Sequence, residues 1–353
     1  MSINHEKIAE IAGVSPATVS RVVNGRAGVS PERAELVRKV MSDLNYDPVP
    51  VDQRMGRQGS PIGGSGAGGR TQNIGVVILD ELYQFAPNLF ASQLRGIEAG
   101  AAEHGFNAVV THASRVEDLA PAVAEGQVDG LILMGSMSCS TLGDRLAKLP
   151  RVWLNSHHEA GGDAVLAGNH QVGELAADYL LELGHRELGF LCAMADYPPY
   201  PTRSSAFRFR VQERESTARV QQFTATTASA AYRDLDVHRD GFDVLRQQID
   251  PLVEQLLNQS PRVTGLFVPN DLMTAIVYSA LAQRGVRPGE DVQIVSCNNE
   301  MSCLVGLHPR PATIDVGAEA IGRRGIEQLL WRMRHPEDDR PSSLAVTPLL
   351  VRP

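Results

Sequence analysis

The stretch IAEIAGVSPATVSRVVNG, residues 8–25, predicts two short helices joined by a tight turn. Ile8, Ile11 and Ala12 fall at positions i, i+3 and i+4, which is the spacing of one apolar helix face. Gly13 follows directly, and glycine commonly ends a helix because it adopts the left-handed backbone conformation without strain. The first helix is therefore predicted to begin near His5 and to end at this glycine.

Start signals for two further helices follow. Ser15 is a favourable N-cap and Pro16 a favourable first helical residue, so a second helix is predicted up to about Val23. Ser30 and Pro31 repeat this signal for a third helix. The apolar stripe predicted for that third helix consists of Leu36, Val37, Val40 and Leu44. Three short helices around a tight glycine turn indicate a helix-turn-helix domain.

Composition changes twice along the chain. Residues 56–69 contain seven glycines in fourteen positions, which is typical of a flexible linker. We therefore predict a helix-turn-helix domain over residues 1–47, a hinge and glycine-rich linker over 48–72, and a larger domain over 73–353.

Apolar strands alternate with helices throughout the larger domain. Strands are predicted over residues 74–79, 107–112, 130–135, 151–155, 188–193, 265–270 and 292–297. Helices are predicted over residues 88–104, 115–125, 169–183, 271–284 and 317–334. Alternation of this kind favours parallel sheets covered by helices on both faces. Two such series predict an α/β domain of two lobes, each built on a doubly wound parallel sheet.

Composition and charge exclude several classes of protein. Of 353 residues, 43% are hydrophobic and 21% charged, which is ordinary globular composition. No segment approaches the ~18 apolar residues that a membrane span requires, and the N-terminus lacks the pattern of a signal peptide, so a cytoplasmic protein without membrane contact is expected. Residues 1–70 carry a net charge of +2 and the remainder a net charge of −10, which hints at nucleic-acid binding near the N-terminus.

The quoted motif and the segments that follow it resemble one family of proteins. IAEIAGVSPATVSRVVNG and VSPERAELVRKVMSDLNYDP are similar to the N-terminal DNA-binding segment of the lactose-repressor (LacI/GalR) family of bacterial transcription regulators. NIGVVIL, LLELGHRELGFL and NDLMTAIVYSALAQRGVRPGEDVQIVSCNN resemble successive blocks of its effector-binding core. The resemblance spans nearly the whole chain. It implies a periplasmic-binding-protein-like core, a homodimer, a double-stranded DNA operator of palindromic half-sites, and control by a small-molecule effector.

The second predicted helix supplies the residues expected to read DNA. Arg21 suits a bidentate contact with O6 and N7 of guanine in the major groove. The resemblance assigns base reading to Pro16, Ala17 and Arg21, and Ser20 lies beside Arg21 one turn into the helix. Three polar side chains are expected to bind phosphate groups, which positions the domain without specifying sequence: Ser15, Thr18 and Asn24.

The hinge departs from the family pattern. Members usually follow their Tyr-x-Pro with a short helix that ends in leucine, and this leucine enters the minor groove. Here the segment reads YDPVPVDQRMG, with Met55 at the leucine position and Asp52 where alanine is usual. Arg54 and Met55 are the expected DNA contacts of this segment. Two outcomes stay open: a loose tether, which the glycines favour, or a hinge helix that folds on DNA.

Aromatic and polar side chains near the ends of predicted strands form the predicted effector site of the first lobe. Ligands of such folds bind where the carboxyl ends of parallel strands meet. Tyr83, Phe85 and Phe90 follow the first strand, Ser136 follows the third, and Asn155 follows the fourth.

The second lobe is expected to supply a cationic contact. The segment SSAFR resembles a Ser-x-x-x-Arg of the family, whose arginine binds hydroxyl or acidic groups of the ligand, so Arg208 is the predicted contact. Asn270 and Asp271 match the Asn-Asp that follows the next strand. Asn298, like Asn155, stands where the family often has an acid, which predicts an effector different from the commonest sugars.

The sequence thus predicts a sequence-specific DNA-binding regulator, a repressor controlled by a sugar or a related metabolite. No GxSxG, HExxH or P-loop motif is present, so no enzyme activity is expected. Four cysteines without a CxxC pair, and His157 and His158 in adjacent positions, predict neither a metal site nor another cofactor. The alternative is a two-lobed transport binding protein without a DNA role, against which the helix-turn-helix segment argues.

Overall fold

The structure is a computed structural model that describes residues 5–15, 18–19, 22, 29–43, 71–78, 86–113, 118–135, 146, 148–155, 162–225 and 242–353. The chain divides into two compact units, residues 1–62 and residues 63–353, called here the head and the core. The division falls within the glycine-rich segment that the sequence predicts as a linker. Each unit has its own apolar interior.

The head contains helix α1, His5–Ala12, and helix α2, Pro31–Asp43. Gly13 has a φ of 63°, in the left-handed region, and the N–H of Val14 donates to the carbonyl oxygen of Ala9 at 3.0 Å. This hydrogen bond spans the helix end as in a Schellman motif, so the predicted stop at Gly13 is confirmed.

The apolar interior of the head joins the two helices to the segment between them. Its buried members are Ile8, Ala9, Ala12, Val19, Val37, Val40 and Met41. Ile11 and Leu36, which the sequence places on buried faces, are 51% and 45% exposed. Ala9 and Met41 are buried instead. The helices have only 8 and 13 residues and the interior is small, so more than one face of each helix can contact it. Packing decides which face is buried. Leu44 lies outside the described residues.

The N-terminal lobe of the core is a six-stranded parallel sheet with flanking helices. Its strands are β1 Asn73–Ile78, β2 Asn107–His112, β3 Gly130–Met134, β4 Arg151–Leu154 and β5 Asp163–Ala167, completed by a late strand, Ser343–Val346. Helices α3 Pro87–Glu103 and α4 Pro121–Ala124 lie between the early strands. All pairs in this sheet are parallel.

The C-terminal lobe repeats the same plan. Its chain order is α5 Asn169–Glu182, β6 Glu187–Cys192, α6 Pro199–Arg214, β7 Arg219–Thr224, α7 Phe242–Leu257, β8 Gly265–Phe267, α8 Asp271–Gln283, β9 Gln293–Cys297, α9 Met301–Leu304 and β10 Ala312–Asp315. The last elements of the chain are α10 Ala318–Arg334, β11 Ser343–Val346 and β12 Leu349–Val351. Strand β12 joins this second sheet antiparallel to β10, whereas the other pairs are parallel.

The two sheets have equivalent strand orders, β11-β5-β4-β3-β1-β2 and β12-β10-β9-β8-β6-β7. The chain crosses between the lobes three times, after β5, after β10 and after β11. The second crossing sends α10 back onto α3 and the first sheet. The predicted doubly wound, two-lobed architecture is confirmed, whereas β5, β7, β10, β11 and β12 were absent from the prediction because they are short or half polar.

Candidate effector site and DNA-binding head

A cleft lies between the two lobes of the core. Its amide and guanidinium side chains are Asn155, Asn169, Arg203, Asn270 and Asn298. Its aromatic side chains are Phe90, Tyr197 and Tyr200. Among the described residues, no aspartate or glutamate lines this cleft. Its position is that expected for ligands of open α/β sheets.

The asparagines lie at the cleft because each follows directly on a strand or starts a helix. Asn155 follows β4 with a φ of 52°, and Asn298 follows β9 with a φ of 105°. Both values lie in the left-handed region, which asparagine tolerates better than most residues do. Asn270 is the N-cap of α8, and its Oδ1 accepts a hydrogen bond from the N–H of Met273 at 3.1 Å. Local backbone geometry therefore explains these amides independently of any ligand.

Arg203 is the cationic side chain of the cleft, and it is only 4% exposed. Its Nε donates to Oδ1 of Asn169 at 2.9 Å, and its Nη1 donates to the carbonyl oxygen of Pro269 at 2.6 Å. A third, longer contact runs from Nη1 to Oδ1 of Asn298 at 3.4 Å. The guanidinium carbon also lies 5.7 Å from the ring centre of Tyr200. All of these described hydrogen-bond partners of the guanidinium are neutral.

Asp271 is fully buried beside the cleft but does not line it. Its Oδ1 accepts hydrogen bonds from the hydroxyl groups of Ser296 and Thr313, and its Oδ2 accepts from the N–H of Glu300. Burial raises the pKa of Asp271 to about 7, although these donors favour the ionised form. The carboxyl group thus joins the start of α8 to strands β9 and β10 and to the loop that follows β9, and it acts as a structural centre of the C-terminal lobe.

Glu300 links the two lobes next to the cleft. It belongs to the loop after β9, and its Oε1 accepts a hydrogen bond at 3.1 Å from the N–H of Leu89, in the first turn of α3. The side chain is 2% exposed, and its Oε2 has no hydrogen-bond partner among the described residues. Burial raises the pKa of this carboxyl group. This hydrogen bond joins the C-terminal lobe to the N-terminal lobe beside the cleft.

The structure corrects the prediction for Arg208. This residue is exposed on α6 and is absent from the cleft lining, whereas Arg203 on the same helix lines it. Five residues rotate a helix by roughly 140°, so the two arginines cannot face the same side. A signal was present in the sequence, because Arg203 lies four residues before Phe207 and eight before Val211, in the apolar stripe of the helix.

The other predicted effector residues divide into three groups. Phe90, Asn155, Asn270 and Asn298 line the cleft. Asp271 lies beneath it, as described above. Tyr83, Phe85 and Ser136 lie outside the described residues. Sequence reasoning missed Asn169, Arg203, Tyr197 and Tyr200.

Two of the predicted DNA-binding residues can be placed in the head. The Oγ of Ser15 accepts a hydrogen bond from the N–H of Thr18 at 3.2 Å, and the two hydroxyl groups lie 2.9 Å apart. Ser15 therefore caps the helical segment that contains Thr18, as its position predicts. The other predicted DNA contacts lie outside the described residues: Pro16, Ala17, Ser20, Arg21, Asn24, Arg54 and Met55.

The part of the chain that the structure describes holds no group of three or more His, Cys, Asp or Glu side chains that could bind a metal ion. None of its helices is long and apolar enough to cross a membrane. Cys192 and Cys297 are free and buried, and burial raises the pKa of each thiol to about 12, so neither is a reactive thiolate near neutral pH.

Comparisons with known proteins agree with both units. Residues 6–49 match the model for bacterial regulatory proteins of the lacI family, and residues 177–353 match that for a periplasmic binding protein-like domain. The chain is 26% identical over 353 residues to the HTH-type transcriptional repressor PurR of Haemophilus influenzae, strain ATCC 51907 / DSM 11121 / KW20 / Rd, covering 98% of this chain and 96% of that protein. It is 26% identical over 341 residues to the ribose operon repressor of the same strain, covering 94% and 92%.

Solved structures share the fold. The transcriptional regulator CelR in complex with cellobiose superposes with a TM-score of 0.62 at 23% identity, over 99% of both chains. The Lac repressor dimer bound to operator and the anti-inducer ONPF gives a TM-score of 0.63 at 22% identity, over 100% of this chain and 98% of that one.

A helix-turn-helix head on a two-lobed core with an interlobe cleft defines a ligand-controlled, DNA-binding transcription regulator. The chain belongs to the lacI family of bacterial regulatory proteins, with a core of the periplasmic binding protein-like type. Members of this family are transcription regulators and not enzymes. The match of residues 6–49 also separates the chain from transport binding proteins, the alternative that shares the core fold but has no DNA role.

Proposed function

We propose that this regulator is a cytoplasmic repressor that binds a palindromic operator as a homodimer, and that a small polar metabolite, a sugar or a related compound, controls operator binding from the interlobe cleft. The observation that carries the proposal is the cleft itself. It is lined by residues of both lobes, and three chain crossings join those lobes. A ligand that contacts both lobes favours their closed arrangement by its differential affinity.

The lining of the cleft supports a polar ligand with a ring. Amide and guanidinium groups on the C-terminal lobe provide directional hydrogen bonds, while Phe90, Tyr197 and Tyr200 provide flat apolar surfaces. We assign effector contact to Phe90, Asn155, Asn270 and Asn298, as the sequence predicts, and to Arg203 in place of Arg208.

The relatives support the assignment as a repressor. PurR and the ribose operon repressor of Haemophilus influenzae are repressors by name and align over more than nine-tenths of this chain. CelR was solved with cellobiose, and the Lac repressor was solved as a dimer on its operator.

We propose that Arg21 reads a base and that Ser15, Thr18 and Asn24 position the head on phosphate groups. An operator selected from random DNA by the full-length protein provides the test. In fluorescence anisotropy, Arg21→Ala should weaken operator binding by roughly tenfold to a hundredfold, since one bidentate base contact contributes ~1–3 kcal/mol.

Binding to random DNA should change far less in this variant, because phosphate contacts dominate there. The exposed Arg208→Ala serves as a matched control that removes one positive charge from the core. Unchanged operator affinity in Arg21→Ala would place the recognition residues elsewhere. For the assembly, light scattering should give twice the chain mass of 38.2 kDa, and a monomer or tetramer mass would overturn the dimer.

A further inference from the structure

Among the residues that the structure describes, the charge of the interlobe cleft is unbalanced. Arg203 is 4% exposed, yet all three of its hydrogen-bond acceptors are neutral: two asparagine amides and one backbone carbonyl. Among the described residues, no carboxylate lies within ion-pair distance of its guanidinium. A buried cation without a counter-charge is unfavourable, and an anion that enters the cleft would relieve this.

The amide groups of the cleft add to this preference. The amide oxygen of each lining asparagine already accepts a hydrogen bond from the protein. The donors are the N–H of Ala167 for Asn155, Nε of Arg203 for Asn169, the N–H of Met273 for Asn270, and Nη1 of Arg203 for Asn298. A backbone N–H and a guanidinium can only donate, so these contacts define which end of each amide is oxygen.

For Asn155, Asn270 and Asn298, the remaining capacity of the side chain is therefore mainly donation through Nδ2. The side chain of Asn298 also faces Glu300, where it opposes the effect of burial and lowers the pKa of this carboxyl group. Together with the guanidinium, the amides form a lining rich in donors and poor in acceptors. Such a lining matches a ligand group that only accepts, and carboxylates and phosphates are the groups of this kind in small metabolites.

Three described carboxylates near the cleft do not alter this balance: Asp196, Asp271 and Glu300. The carboxylate of Asp271 accepts hydrogen bonds from Ser296, Thr313 and the N–H of Glu300. The carboxylate of Glu300 accepts a hydrogen bond from the first turn of α3. Asp196, in the loop after β6, is exposed and does not line the cleft.

We propose that the effector of this regulator is an organic anion, a sugar-sized compound whose carboxylate or phosphate group binds Arg203. This inference rests on the proposed function, because it names the chemical class that the same cleft takes. The anionic group lies against the guanidinium and the amides of the C-terminal lobe, and the rest of the ligand packs on the aromatic side chains. Because its lining includes aromatic side chains, the cleft suits an anion attached to a ring better than an inorganic ion.

Matched sets of compounds test the proposal on the full-length protein. One set is glucose, glucuronate and glucose 6-phosphate, a second is galactose, galacturonate and galactose 1-phosphate, and a third is ribose and ribose 5-phosphate. Inorganic phosphate and sulfate serve as ion probes. Dissociation constants are measured by calorimetry at constant ionic strength, after a thermal-shift screen. In at least one set, we expect a charged member to bind at least about tenfold tighter than its neutral partner.

The uronates and the phosphate esters distinguish the two possible anionic groups. A preference for glucuronate or galacturonate identifies a carboxylate ligand, and a preference for the esters identifies a phosphate ligand. Phosphate or sulfate alone should bind more weakly than the preferred organic anion.

Variants of the cleft test the role of Arg203. Arg203→Gln should remove the preference for the charged compound, and Arg203→Lys should keep part of it. Asn169→Asp keeps the acceptor for Nε but places a carboxylate beside the guanidinium, so it should also remove the preference without deleting the arginine. Arg208→Ala is the matched control, since it removes an exposed arginine from the same helix and should bind the anion as the unmodified protein does.

The outcomes separate this inference from the proposed function. If the neutral member of every set binds as tightly as its charged partners, or if no anion binds at 10 mM, the proposed ligand class is wrong. A neutral sugar that binds and changes operator affinity would leave the proposed function standing. An anion that binds through Arg203 without changing operator affinity would instead overturn the control of DNA binding from this cleft.

Discussion

Among the described residues, each lobe of the core has one completely buried aspartate, and the two carboxyl groups have opposite surroundings. In the N-terminal lobe, Asp163 pairs with Arg332, whose Nη2 lies 2.6 Å from Oδ1 and whose Nε lies 2.9 Å from Oδ2. Gln328 and the N–H of Ser342 complete its hydrogen bonds. In the C-terminal lobe, Asp271 has neutral donors, and no cation lies within ion-pair distance of it in the described part of the chain.

The pKa values follow these surroundings. Burial opposes ionisation of Asp163, but the hydrogen bonds from Arg332, Gln328 and Ser342 outweigh it, so the pKa of Asp163 lies below its usual value. For Asp271, burial outweighs the neutral donors and raises the pKa from 3.8 to about 7. The N-terminal lobe therefore neutralises its buried charge internally, whereas the C-terminal lobe does not.

The difference in charge balance corresponds to a difference in role: the buried pair of the N-terminal lobe is structural, whereas the C-terminal lobe contributes a binding surface. The Asp163–Arg332 pair joins β5, α10 and the start of β11, and it is remote from the cleft lining. The C-terminal lobe keeps a buried guanidinium and a buried carboxyl group on separate neutral partners, and the guanidinium faces the cleft. A buried charged group without a counter-charge lowers the stability of the folded protein. Such destabilising groups are common at binding sites.

The largest effect is expected from breaking the pair in the N-terminal lobe. Asp163→Ala leaves Arg332 partly buried without its partner and also removes the acceptor for Ser342 and Gln328. We expect the free energy of unfolding to fall by roughly 3–5 kcal/mol, as for other buried pairs that lose one member. Urea denaturation followed by circular dichroism measures this loss.

Arg324→Ala is the matched control, because this arginine lies on the same helix in an exposed pair with Glu327. Exposed pairs contribute little, and the control should cost less than about 1 kcal/mol. A loss of similar size in both variants would show that the buried pair has no special role.

The second expected effect is a dependence of stability on pH that has opposite signs in the two lobes. Asp163 is ionised in the folded protein at lower pH than in the unfolded chain, so its contribution is present above about pH 4 and is lost as the pH falls further. Asp271 keeps its proton in the folded protein up to about pH 7, whereas the unfolded chain loses it near pH 4. The folded state therefore holds the extra proton between these values, and stability falls as the pH rises from 4 to 7.

Asp271→Asn should remove most of this decline, which we expect to be about 3 kcal/mol between pH 4 and 7. Urea denaturation at several pH values gives the profile for both proteins. Glu300, whose pKa is also raised by burial, contributes with the same sign and leaves a residual slope. An unchanged profile in Asp271→Asn would mean that this carboxyl group is ionised in the folded protein throughout the range.

The smallest expected effect comes from making the C-terminal lobe resemble the N-terminal one. Asn169→Asp gives Arg203 a carboxylate partner at the position of an oxygen that is now 2.9 Å from its Nε. The new acid is also the first residue of α5, where the helix dipole favours negative charge. We expect the unliganded protein to gain about 1 kcal/mol of unfolding free energy. A loss of stability would contradict the view that the guanidinium lacks a counter-charge.

Much of the fold could be predicted from local patterns. The turn at Gly13, the strand of residues 107–112 and the helix after Asn270 all have short-range signals, namely a left-handed glycine, an apolar run and an N-cap. Short strands with mixed polarity escaped prediction, since β11 has a largely exposed pattern and is recognisable as a strand only through its pairing with β5.

The candidate site was predictable in part for the same reason. Phe90, Asn155, Asn270 and Asn298 follow strands, and the carboxyl ends of parallel strands meet at one edge of a sheet, so their positions in the chain were sufficient. The prediction of Arg208 was wrong, and Arg203 lines the cleft instead. A motif of the form Ser-x-x-x-Arg does not indicate which side of its helix is buried.

The sequence by itself determined the helix-turn-helix signals, the two α/β series and the amides at strand ends, because each depends on residues within a few positions of one another. Tertiary structure decided which arginine of α6 enters the cleft, since the rotation of a helix is set by what it packs against. It also decided that Asp163 pairs with Arg332, which lies 169 positions further along the chain. The hydrogen-bond partners of Asp271 and Arg203, by contrast, are neutral. Charge balance in a buried site depends on contacts between distant segments, and those contacts exist only once the two lobes have folded.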